Sequence, residues 1–167
     1  DNNVYIVRIQ RLVSIDENGN ENWEITDLAN GLHYPSWHPD GFLLCNGGAL
    51  YAFDPADGSI LWGPVLEDHS QDSNEKPIID TEGYIYTTES GVFDDLVCLD
   101  SSGTEVWREE VEIPISGNPE WGPFEHTIIA PNGNLYYVGG TSEDGRFMIC
   151  LTESGAWVND TNFAARV

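Results

Sequence analysis

Side chains able to do chemistry gather at intervals along the chain: His33, then Asp72 and Glu75, then Glu125 and His126. Imidazole and carboxylate together are a donor set for a metal ion or a cationic ligand. These residues precede runs of similar pattern, so they could converge around one opening as a ligand-binding site. The competing reading is a solvated acidic loop face with ordinary histidines, and no metal is assigned. Trp121, in Trp121-Gly-Pro123, offers a ring that could stack on a sugar or a peptide; Trp62-Gly-Pro64 repeats the pattern, which favours packing over a sheet edge. The run Asp16-Glu-Asn-Gly-Asn-Glu-Asn22 has a superficial likeness to a calcium loop, but its glycine stands fourth rather than sixth. No Gly-x-Ser-x-Gly elbow, phosphate loop or His-Glu-x-x-His is present, so no residue is assigned a catalytic role.

The elements that must position these groups are bounded first by composition. The chain has 167 residues with 29 Asp+Glu against 6 Lys+Arg, a formal charge of −23. With no cluster of cations to neutralise phosphates, nucleic acid is excluded as a partner, and an anionic membrane surface fails for the same reason. No stretch approaches the roughly 20 apolar residues of a membrane span. A 40% hydrophobic content with 6 Trp, 7 Tyr and 6 Phe argues for a packed core despite the charge. The acidity suits a saline habitat or a secreted, highly soluble protein, and an extracytoplasmic location (periplasmic, secreted or cell-surface) is expected. Cys45, Cys98 and Cys150 are odd in number and form no CxxC pair, which points to free thiols.

Self-similarity supplies the architecture. Val13-Ser-Ile-Asp16 is followed by Gly19 and Trp23, Tyr51-Ala-Phe-Asp54 by Gly58 and Trp62, and Val97-Cys-Leu-Asp100 by Gly103 and Trp107. Ile149-Cys-Leu-Thr152 with Gly155 and Trp157 is a fourth, looser copy. A polar turn running into an apolar strand precedes each: Pro39-Asp-Gly-Phe-Leu-Leu44, Thr81-Glu-Gly-Tyr-Ile-Tyr86 and Pro131-Asn-Gly-Asn-Leu-Tyr136, with Asp1-Asn-Asn-Val-Tyr-Ile6 a shortened form. Ahead of these lie Pro35-Ser-Trp37, Pro77-Ile-Ile79 and Thr127-Ile-Ile129. Aligned on Val4, Phe42, Tyr84 and Asn134, the units recur at 38, 42 and 50 residues. Four short strands joined by Gly, Asp and Asn turns, with no 3.6-residue apolar period, predict an all-β propeller of four-stranded antiparallel blades. The small residues Ser14, Ala52, Cys98 and Cys150 mark where sheets approach closely. Asp16, Asp54 and Asp100 are expected to accept N–H bonds from their own turns, and Trp23, Trp62, Trp107 and Trp157 to seal one blade against the next.

Ala52-Phe-Asp54-Pro-Ala-Asp-Gly58-Ser-Ile-Leu-Trp62 resembles the tryptophan-docking motif of quinoprotein-type (PQQ-like) β-propeller repeats, with Ala52, Asp54, Gly58 and Trp62 in register and Asp57 and Ser59 departing from the usual Thr and Lys. The resemblance covers almost the whole chain and implies a propeller. It leaves function open, because the family spans enzymes, scaffolds and binding modules.

One propeller domain over 1–167 is therefore expected, with blade repeats at about 1–32, 33–75, 76–124 and 125–160. The segment 161–167 would serve as a closing or next-blade strand. Phe163-Ala-Ala-Arg-Val167 reads like the innermost strand the first unit lacks, so four blades are expected, the first split between the two termini and closed within the chain, by a second copy or by strand exchange; the alternative is that this segment begins a fifth blade and the chain is part of a larger ring. The expected function is a non-catalytic interaction or ligand-binding module with a protein or glycan partner and no cofactor. A fragment of a PQQ-dependent oxidoreductase, needing PQQ with calcium, and a carbohydrate-binding surface module are the alternatives.

Overall fold

A computed structural model describes residues 2–8, 11–26, 32–66, 76–89, 95–110, 126–141 and 145–156, which are strands and the turns and short connections between them. Among the described residues fourteen strands form four antiparallel sheets. The first blade holds β1 (Val4–Arg8), β2 (Arg11–Ile15) and β3 (Glu21–Thr26). The second holds β4 (Leu32–Trp37), β5 (Leu43–Gly47), β6 (Leu50–Phe53) and β7 (Ile60–Val65). The third is built of β8 (Ile78–Ile79), β9 (Ile85–Glu89), β10 (Asp95–Leu99) and β11 (Glu105–Glu110). The fourth has β12 (His126–Ile129), β13 (Leu135–Thr141) and β14 (Gly145–Leu151). Strands follow chain order within every sheet, the meander of a propeller blade. Trp157 and the 161–167 segment lie outside the described residues.

The ladders refine the repeat by one residue. Val4 pairs with Ile15, Leu43 with Phe53, Ile85 with Leu99 and Leu135 with Leu151. Val4 is thus the counterpart of Leu43, Ile85 and Leu135, one place on from Phe42, Tyr84 and Asn134. Side chains alternate faces, so that single step decides which residues look towards which neighbour.

The outer hairpins share a second device. In the first three blades the turn is closed by an acidic residue: Asp16 Oδ1 accepts the N–H groups of Asn18 and Asn20 at 2.8 Å, Asp54 that of Ala56 at 2.8 Å, and Asp100 those of Ser102 at 2.9 Å and Thr104 at 3.0 Å, while in the fourth Thr152 Oγ1 accepts that of Ala156 at 3.1 Å. Just after the small residue the register slips, between Ser14 and Ile15, Ala52 and Phe53, and Cys98 and Leu99. The bulge brings Trp23 opposite Ser14, Trp62 opposite Ala52 and Trp107 opposite Cys98. A residue with almost no side chain leaves room for the indole to lie across it and reach the next blade.

That reach ties the blades together. Trp23 Nε1 donates to the carbonyl of Pro55 at 3.0 Å, Trp62 Nε1 to Ser101 at 2.9 Å and Trp107 Nε1 to Glu153 at 2.8 Å. Each indole lies flat over the glycine of the turn it bonds. A β-carbon on Gly103, whose φ is +80°, would sit 2.8 Å from Trp62, and Gly58 and Gly155 stand in the same relation to Trp23 and Trp107. Three apolar clusters fill the spaces between: Leu12, Tyr51 and Phe53 between the first and second blades, Leu44, Ile85 and Val97 between the second and third, and Tyr86, Leu96 and Leu151 between the third and fourth. The core is therefore distributed over the inter-blade seams rather than gathered in one place.

One polar group is built into a seam and another ties together the strands of a single blade. His38 is wholly buried, stacked on Phe42 with centroids 4.1 Å apart. Its Nδ1 accepts the Asp40 N–H at 3.1 Å and its Nε2 donates to the Gly83 carbonyl at 2.8 Å, joining an inner turn of the second blade to that of the third. Arg108 stands among Glu89, Asp95 and Glu105, bonding all three and bridging β9, β10 and β11. Burial pushes the Cys45 and Cys98 thiols up to about 12, leaving them inert at neutral pH.

The acidic turns make a pH dependence measurable. Folding holds the carboxyls of Asp16 and Asp100 below the ordinary value of 3.8, Asp16 through the side chain and N–H of Asn20 and Asp100 through the Ser102 hydroxyl and the Thr104 N–H. A carboxyl made more acidic by folding adds stability above its unfolded value, and that contribution disappears as pH falls through the lower folded value. Asp100→Ala is therefore expected to melt about 2–4 °C below the parent at neutral pH. Melts recorded from about pH 5 down to about pH 2 should show the gap closing; an undiminished gap would assign the effect to something other than the charged carboxylate.

Candidate functional site

The strands nearest the propeller axis are β4, β8 and β12, one from each of the last three blades. Between them opens a cleft of about 460 Å³ whose lining includes Ser36, Trp37, Lys76, Ile78, Thr127 and Ile128. A prolyl residue interrupts or precedes two of these strands, Pro35 in β4 and Pro77 before β8. Ser36 Oγ donates to the Pro77 carbonyl at 2.8 Å, which fixes the spacing of β4 and β8 at the axis.

The lining is apolar with a few polar groups. Trp37 is 53% exposed and Ile128 56%, large surfaces to leave in water beside a cleft. The Tyr5 ring lies 6.2 Å from that of Trp37 and supports it from the first blade. Thr127 Oγ1 is buried without a hydrogen-bond partner among the described residues. Lys76, the only lysine of a chain with charge −23, is exposed at the lining. A pocket of this kind can accept an apolar side chain beside a carboxylate. The described lining holds no carboxylate, so it does not present the oxygen set that calcium beneath a quinone would need.

Of the residues singled out in the sequence, His33 lies in β4 opposite Asn46, half-buried, with its ring 6.1 Å from Tyr34. Tyr34 takes a φ of 44° in the bulge between His33 and Ser36 and is exposed. His126 opens β12 opposite Val138. Counted back from the paired residues, His33, Lys76 and His126 occupy corresponding places at the starts of the three axial strands. Asp72, Glu75, Trp121 and Glu125 fall outside the described residues, and among those described no three His, Cys, Asp or Glu side chains come together as a metal site.

Trp37, Lys76 and Thr127 are site residues that sequence reasoning passed over. A signal for the first existed: Trp37 stands where the sister strands carry Ile79 and Ile129. An indole in an aliphatic place, left exposed, is the departure from pattern that marks the cleft.

Comparison with known proteins gives the family and the fold. A family model described as outer membrane protein assembly factor BamB matches residues 46–138. No curated protein matches the chain. Among solved structures, BamB from Moraxella catarrhalis aligns at 15% identity and a TM-score of 0.56, covering 96% of this chain and 62% of its own. The Dos1 propeller aligns at 13% identity and a TM-score of 0.67, over 94% of this chain and 44% of its own. The WD40 domain of Toxoplasma gondii coronin gives 16% identity and a TM-score of 0.63, with coverage of 96% and 43%. This chain thus spans less than two thirds of each of those structures.

Proposed function

Because this chain belongs to the PQQ-like β-propeller family whose model carries the BamB description, we propose that it is a non-catalytic interaction module that binds a protein partner at the axial cleft. The observation that carries the reading is Trp37, half in water at the cleft and held there by Tyr5. An indole so placed is ready to bury against a partner's apolar side chain, the commonest kind of binding hot spot. Lys76 beside it favours a carboxylate next to that side chain, and the rest of the acidic surface repels nonspecific anionic contacts. The family description, an assembly factor of the outer membrane, supports a protein partner and an extracytoplasmic setting. No helix among the described residues is long and apolar enough to cross a membrane.

The test uses a displayed library of linear peptides pairing an aromatic or aliphatic residue with Asp or Glu. Selection should enrich such peptides, and Trp37→Ala should weaken the best of them at least about tenfold, equivalent to 1.4 kcal/mol or more, while leaving the melting temperature unchanged. Two results overturn the reading. One is binding of glycans, with no peptide selected. The other is a thermal shift on adding the quinone with calcium, which would restore the oxidoreductase alternative.

A further inference from the structure

The inner turn of the second blade differs from its sisters at its first residue. By ladder register His38, Asp80 and Ala130 begin equivalent turns, their N–H groups donating to the carbonyls of Phe42, Tyr84 and Asn134 at 2.9, 3.1 and 2.9 Å. The Asp80 side chain is used inside its own blade, accepting the N–H groups of Glu82 and Tyr84 and the Tyr86 hydroxyl. Ala130 has no polar side-chain atom. His38 instead crosses the seam, from Nε2 to the Gly83 carbonyl at 2.8 Å. Two residues earlier Ser36 crosses it as well, to the Pro77 carbonyl at 2.8 Å. Trp37, between them, and Pro39, next in the chain, line the axial cleft. The clasp between the second and third blades therefore also sets one wall of the cleft.

That clasp needs a neutral ring. His38 is wholly buried and uses both nitrogens, Nδ1 to accept the Asp40 N–H at 3.1 Å and Nε2 to donate. A proton on Nδ1 occupies the lone pair that the Asp40 N–H requires. It also places an ion between Phe42, stacked at 4.1 Å, and the turn that holds Gly83. The acidic group on the same turn is Asp40, whose Oδ2 lies 3.8 Å from Nδ1 and whose side chain is 64% exposed. To accept the new N–H that carboxylate must move inward, and the chain from His38 to Asp40 moves with it. The turn packed against the ring from the third blade carries Asp80, Glu82 and Tyr84. Asp80 is bonded within its own blade, and Glu82 and Tyr84 are exposed. Their negative charges favour uptake of a proton by the ring but replace neither of its bonds.

We infer that His38 is a pH-sensitive clasp on the cleft. In mild acid, where imidazoles titrate, it exchanges the Asp40 N–H for the Asp40 carboxylate, shifts the wall formed by Trp37 and Pro39, and weakens binding there. The effect on binding rests on the reading of the cleft as a protein-binding site; the clasp itself does not. The unfolded chain takes up the same proton without losing a hydrogen bond, so the clasp adds stability at neutral pH and loses it as pH falls.

Nuclear magnetic resonance of the whole chain with nitrogen-15-labelled histidine, from about pH 7.5 to about pH 5.5, reads the clasp without any ligand. The expected result is the Nε2–H tautomer of His38 at the upper end, lost towards the lower end in step with shifts of the Asp40 and Gly83 amides. Over the same range the melting temperature should fall by about 2–4 °C more than in His38→Gln, whose amide keeps a donor and an acceptor at every pH. His33→Gln should behave as the parent does. A peptide selected at the cleft should bind at least about threefold more weakly at the acid end, and His38→Gln should abolish that difference. A ring that stays neutral throughout, or one that titrates while the Asp40 and Gly83 amides stand still, overturns the clasp. Peptide affinity indifferent to pH, beside the expected amide shifts, overturns its control of the cleft. A clasp that titrates as expected in a chain that selects no peptide supports the clasp and overturns the protein-binding reading alone.

Discussion

Gly103→Ala is expected to cost about 3 kcal/mol of stability, an unusual loss for one added methyl group. Two effects combine. At φ +80° any L-residue is strained by roughly 1–2 kcal/mol, and the new β-carbon would stand 2.8 Å from the Trp62 ring. The indole cannot retreat, because its Nε1–H is bonded to the Ser101 carbonyl at 2.9 Å within the turn that contains Gly103. Gly41→Ala separates the two effects, having the strain with open space around it, and should cost only about 1 kcal/mol. Urea titrations of both variants check this; equal losses would show that the indole contact contributes nothing.

Trp62→Ala is expected to remove about 3 kcal/mol, placing it with the large-to-small core substitutions. The side chain joins the cluster of Leu44, Ala52, Ile85 and Val97, meets Phe42 edge-on at 6.2 Å, and crosses to the third blade. Removing it opens the seam between the second and third blades and leaves the Ser101 carbonyl without its donor. Trp62→Phe restores apolar contact but no N–H, so it should recover about half of the loss. Amide exchange should locate the damage, with protection falling in β9 and β10 across the seam as well as in β6 and β7. A loss confined to β6 and β7 would show that the blades are coupled by something other than this indole.

Much of this architecture was legible in the sequence because it depends on short-range chemistry. The spacing from Asp to Gly to Trp is a turn written in residue types, and the small residue ahead of it marks the place the indole needs. The bulge after Ser14, Ala52 and Cys98 was not legible, since one unpaired residue changes hydrogen bonding without changing composition. The same blindness displaced the alignment of Val4 by one residue: the polar turn looked conserved in position while the ladder decided which side chain faces the seam. His33 and His126 drew attention because histidine is conspicuous, but they stand at the starts of the axial strands and are not among the residues lining the cleft. Trp37 left a signal, an indole where the sister strands carry Ile79 and Ile129, whereas Thr127 left none, because placement at the cleft is a property of three strands together and no single segment encodes it.

The contact between blades runs one way along the chain, each indole reaching only the turn of the unit that follows. No unit needs anything from the one after next. A duplicated stretch of gene encoding one such unit would therefore arrive with its hook and its eye already matched to both neighbours. An array built like this can lengthen or shorten by whole units without redesign at the joints, and what limits the count is the curvature at which the ends meet.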